Sequence, residues 1–60
     1  MAITELKGEY VLATLGKGTR VVMCDYTTNR MVDCGAMRVE AIQSFIEKDT
    51  VKFFTVVENE

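Results

Sequence analysis

Residues 37–58, MRVEAIQSFIEKDTVKFFTVVE, carry two hydrophobic periods back to back. In the first part Met37, Ala41, Ile42, Phe45 and Ile46 recur at helical spacing, with Val39 beside them. At 100° per residue this apolar arc covers roughly 200°, interrupted by Arg38. Glu40, Gln43, Ser44, Glu47 and Lys48 fill the remaining face. The segment predicts an amphipathic helix whose apolar face is wider than the ~100° stripe of a typical surface helix. Asp49 and Thr50 mark its exit. Thr50–Glu58 is then β-branched and aromatic almost throughout and is the strongest strand signal in the chain. Alternation sends Val51, Phe53 and Val57 to one side and Phe54 and Val56 to the other.

Upstream the period is shorter. Thr19–Tyr26 (TRVVMCDY) reads as a strand with apolar residues in both alternating sets, so neither of its faces is freely solvated. Thr27-Thr28-Asn29 reads as the following turn, since Asn29 tolerates the left-handed conformation. Arg30–Cys34 makes a short third strand before Gly35, with Asp33 placed to cap the helix start. Glu9–Leu15 (EYVLATL) is rich in β-formers and reads as the first strand. Gly16-Lys17-Gly18 would close a tight hairpin between it and the next strand. Met1–Gly8 reads as an irregular lead-in, and Glu58-Asn59-Glu60 as a polar tail that frays. The expected architecture is therefore α+β in the order β-β-β-α-β. A three-stranded meander is followed by one helix on one sheet face and a last strand at a sheet edge, all in a single domain of residues 1–60.

At 60 residues the chain is near the lower limit for independent folding. Such a domain buries only ~60% of the surface its unfolded chain exposes. With 48% hydrophobic and 27% charged residues, the composition is that of a globular domain, not a disordered one. The net charge of −2 argues against a dedicated nucleic-acid-binding module, whose affinity rests on neutralising phosphates. No basic-then-apolar leader opens the sequence, and no apolar run reaches the ~20 residues of a membrane span. A cytoplasmic protein without membrane contact is the expectation.

The chain has two cysteines and no histidine. Two thiols cannot complete a structural zinc site, and Cys24-x9-Cys34 is not a redox spacing. The two cysteines read first as small buried hydrophobes, with a disulfide or a reactive thiol as the alternatives. The turn register would place Cys24 opposite or diagonal to the Val32–Cys34 stretch. Cys34 precedes a helix, where a thiol pKa can fall, but no histidine is present to act as its base. Leu15-Gly16-Lys17-Gly18-Thr19-Arg20 lacks the spacing of a phosphate loop. Asp25, Asp33, Glu40, Glu47 and Asp49 show no spacing that makes a pair converge for acid–base work. No catalytic residue, metal or cofactor is expected.

What remains is apolar surface. One helix covers one face of a four-stranded sheet, yet the second and last strands carry apolar residues on both. Open apolar surface in quantity marks an interaction site. The sequence thus predicts a homodimer that uses the open sheet face, the final-strand edge, or both. Phe53, Phe54, Val56, Val22 and Tyr26 are the candidate interface residues. The predicted role is a non-enzymatic module that binds another protein and inhibits or adapts it. The chain shares its small size and acidity with phage and mobile-element proteins that block host machinery. The alternative is a small nucleic-acid-associated regulator using a patch of Lys17, Arg20 and Arg30.

Overall fold

In the computed structural model, which describes residues 2–58, the chain is α+β with a four-stranded antiparallel sheet. The elements are β1 (Ala2–Leu6), a 3-10 turn (Gly8–Tyr10) running into α1 (Val11–Leu15), β2 (Arg20–Asp25) and β3 (Arg30–Asp33). A second 3-10 turn (Cys34–Ala36), α2 (Val39–Ile46) and β4 (Val51–Val57) complete the fold. The sheet order is β1-β4-β2-β3. The chain thus runs β-α-β-β-α-β, as two split β-α-β units joined by the β2–β3 hairpin.

Three expectations from the sequence are corrected. The Glu9–Leu15 segment is helical, not a strand. Its buried or half-buried apolar residues Val11, Leu12 and Leu15 fall at helical spacing, so all three reach the core from one side. The Gly16–Gly18 turn therefore joins a helix to a strand rather than two strands. Gly18, at φ 81°, takes the left-handed position that ends such a helix. Its amide donates to the Leu15 carbonyl at 3.0 Å. The expected lead-in contains strand β1, whose residues Ala2–Leu6 pair with Val57–Phe53. Finally, β4 is not an edge strand. It lies between β1 and β2, so no meander of three consecutive strands forms. Being apolar on both faces suits β4 to the interior of a sheet, and that need outweighs chain order.

The expected turn stands, while the expected cap and tail differ. Asn29 closes the β2–β3 hairpin at φ 58°. Asp33 does cap, but it caps the 3-10 turn, accepting the Gly35 amide at 2.9 Å on Oδ1. The helix itself begins only after Arg38. Of the tail, Glu58 is held by Arg20 at 2.7 Å. Asn59 and Glu60, like Met1, lie outside the described residues.

The core lies between the sheet and the two helices. Val21, Met23, Val51 and Phe53 project from β2 and β4 against Val11, Ile42 and Cys34. Met23 and Phe53 are direct cross-strand partners, flanked by Leu6 on β1 and Val32 on β3. Both helices contribute to this one cluster, so both cover the same face. Phe53, only 3% exposed, is the one aromatic ring among the buried residues of this cluster. Replacing Phe53 with Ala should cost about 3–5 kcal/mol. A 60-residue domain has only ~3–9 kcal/mol to lose, so this variant should be largely unfolded in water. Phe54→Ala, on the opposite face, should cost less than about 2 kcal/mol and keep a cooperative urea transition. Equal urea midpoints for the two variants would contradict the assignment of faces.

Candidate interaction face and hairpin pocket

The helix-free side of the sheet is built in rows by the strand register. Ile3, Val56 and Arg20 form one row; Glu5, Phe54, Val22 and Asp33 the next; Lys52, Cys24 and Met31 the third. The middle of this face is apolar. Val22 and Val56 are buried by their neighbours, Phe54 and Cys24 are half-buried, and Ile3 and Met31 are 54% and 66% exposed. Tyr26 lies one step beyond β2 on the Cys24 side by alternation. Its amide donates to the Thr50 carbonyl at 3.0 Å and so extends the ladder.

Charged side chains rim this face and pair with one another. Arg20 reaches Asp33 through Nε at 3.4 Å and Glu58 through Nη1 at 2.7 Å. Lys52 Nζ lies 3.9 Å from Glu5 Oε1. All five groups are solvent-exposed, where such pairs contribute little stability. With Val22 and Val56 buried, the apolar area this face offers to a partner comes from Ile3, Met31, Tyr26 and part of Phe54.

The structure brings Phe54, Val56, Val22 and Tyr26 to this side. It takes Phe53 away to the helix-covered core. Lys17, Arg20 and Arg30 do not form one patch. Arg20 and Arg30 stand at opposite ends of β2, since Arg30 is the partner of Asp25. Five residues of strand separate those ends by about 17 Å. They also lie on opposite faces, Arg20 being already ion-paired. Lys17 sits in the turn before β2.

A second feature escaped the sequence reading. At the hairpin end of the helix-covered side there is an open depression of about 450 Å3, lined by Met23, Asp25, Thr28, Arg30, Val32 and Phe45. Lys48 lies over the Phe45 ring at 4.7 Å from its centre. Asp25 Oδ1 accepts from the Thr27 hydroxyl at 2.6 Å and the Thr27 amide at 2.9 Å. These bonds, the hydroxyl's first, hold the Asp25 carboxyl below its ordinary pKa of 3.8. Only the juxtaposition of β2, β3 and the end of α2 makes the depression, so no linear motif announces it.

The cysteines are separated. Cys24 pairs directly with Met31, which leaves Asp33 of the Val32–Cys34 stretch diagonal to it, and lies on the open face. Cys34 is 1% exposed in the core, and both thiols are free. Burial, followed by the neighbouring Asp33 charge, pushes the Cys34 pKa up to about 11. That is the opposite of what a nucleophile needs.

Two measurements follow from this geometry. With N-ethylmaleimide at neutral pH, the native protein should take one adduct, at Cys24, and gain the second only in denaturant. Equal rates at both thiols would contradict the burial of Cys34. Because Asp25 is depressed in the folded state, its contribution to stability is present above pH 3.8 and disappears as pH falls through the lower folded value. Thr27→Val should raise the Asp25 pKa toward 3.8, as followed by carboxyl-carbon NMR. An unchanged titration in the variant would show that Thr27 is not the cause.

Compared with known proteins, the chain matches no family model, no curated protein and no solved structure.

Proposed function

We propose that this chain is a non-enzymatic interaction module that self-associates weakly through its open sheet face. With the same face it binds another protein, which it inhibits or adapts in the manner of small acidic phage and mobile-element proteins. The observation that carries this reading is the apolar content of the helix-free face, from exposed Ile3 on β1 across half-buried Phe54 to exposed Met31 on β3, interspersed with internally paired charges.

Two physical arguments favour a second copy as one occupant. The rim holds two cations (Arg20, Lys52) and three anions (Glu5, Asp33, Glu58), a balance of −1. A near-neutral face meets its own copy with little of the like-charge repulsion that rejects wrong partners. Flat apolar sheet faces also stack well, about 10 Å apart, in two-layer sandwiches.

Size limits the strength of that contact. Four strands at ~4.8 Å and six residues at ~3.3 Å give a footprint of about 400 Å2 per copy. Stable complexes bury ~1,200–2,000 Å2 in total, so the self-contact falls in the weak, concentration-dependent class. A larger partner that also reaches the sheet margins could exceed it.

Light scattering across a concentration series, under reducing conditions, tests the reading. The wild-type mass should rise from monomer toward dimer with concentration. Phe54→Glu should hold it at monomer while leaving the circular dichroism unchanged. A wild-type monomer at every concentration up to millimolar would end the self-association part. A dimer formed only under oxidation would move the link to Cys24.

A further inference from the structure

The depression under the β2–β3 hairpin lies on the other side of the sheet from the proposed interface and has its own chemistry. Its floor is apolar, made by Met23, Val32 and the Phe45 ring. Arg30 stands at its margin with no ion-pair partner among the described residues, although Asp25 is its direct cross-strand partner. The reason is local: Asp25 is turned toward the turn by its two bonds from Thr27. The guanidinium is thereby left free beside an apolar floor, with the Lys48 ammonium close to Phe45.

We infer that this depression receives one apolar side chain of a protein partner, with a carboxylate next to it in the partner's sequence engaging Arg30. Charge sets the polarity of the ligand, because the free cation at the margin favours an anion and a guanidinium binds a carboxylate in bidentate fashion. The Asp25 carboxylate, facing the same space, opposes a polyanion and so favours a single acidic group over a phosphate backbone. Openness sets the source. A free small molecule is held by pockets that bury 70–90% of its surface. This site is open on one side and suits a side chain whose partner supplies contacts elsewhere. The inference rests on the protein-binding reading but uses a different surface.

The test uses the full chain, nitrogen-15 labelled, as the Phe54→Glu variant so that self-association plays no part. Four probes are titrated: capped tetrapeptides in which a central phenylalanine is followed by aspartate, asparagine or lysine, and free 3-phenylpropionate. The aspartate peptide should give saturable shifts at the amides of Met23, Thr28, Arg30 and Val32. The asparagine and lysine peptides should bind at least fivefold more weakly. Arg30→Glu, an exposed substitution whose folding is read in the same spectra, should reverse the order and favour the lysine peptide. Equal response to the three peptides, no saturable shift with any of them, or an unchanged order in Arg30→Glu would overturn the inference. Binding of 3-phenylpropionate as tight as that of the aspartate peptide would overturn the protein source in favour of a small molecule. Shifts confined to the amides of Val22, Met31 and Val56 would place binding on the open face and overturn the inference. Failure of the proposed self-association leaves this result readable, because the two surfaces are on opposite sides of the sheet.

Discussion

The pairing of β2 with β4 is the constraint on which the rest of the structure depends. These two strands hold all the buried apolar strand residues, on both faces, and they lie side by side over six residue pairs. On one face the Met23–Phe53 pair anchors the helices. On the other, Val22 and Phe54 form the centre of the open rows. Any arrangement that put β4 at an edge would leave its backbone unpaired and Phe53 without a cross-strand neighbour on one side. Placing both strands inside pushes the more polar strands outward. β1 is mostly exposed, and β3 has only four residues with charges at both ends. Short, charged strands are what limits unwanted pairing at a sheet edge.

Much of this was legible in the chain, and the failures have local causes. The helix around Ile42 and Phe45, the strand at Thr50–Glu58 and the turn at Asn29 each had a period or a turn residue that named them. The two-faced character of β2 and β4 is also visible in the sequence, whereas chain order by itself suggests an outer position for the last strand. The Glu9–Leu15 segment is not legible as a helix because five helical residues are too few for a period to show. β-propensity alone favours a strand there, and tertiary packing of Val11 overrides it. β1 was missed because its residues are mostly exposed and so lack the burial that makes alternation informative.

The candidate surfaces divide the same way. Alternation along β4 was enough to send Phe54 and Val56 to an open side, and the same alternation should have removed Phe53 from the interface set. Lys17, Arg20 and Arg30 form no basic patch because they flank two different turns, and nearness to a turn does not fix which end of the sheet a residue occupies. The antiparallel register puts Arg20 and Arg30 at opposite ends of β2. The hairpin depression needed three elements that are distant in sequence, and only their packing reveals it.

In the proposed reading one face serves both a second copy and a different protein, and this fixes how the two equilibria interact. A partner can bind only the fraction of chains whose face is free, so its apparent affinity is reduced by that fraction. A tight homodimer would therefore defeat partner binding, whereas a weak one withholds little. The small footprint and the internally satisfied rim favour the weak case: Arg20, Lys52 and their acidic neighbours need no partner to be paired. The same rim keeps an apolar strip on a 60-residue surface from recruiting further copies without limit. Self-association through a single face also closes on itself after two chains, which leaves the opposite side, with the Arg30 depression, accessible in either state.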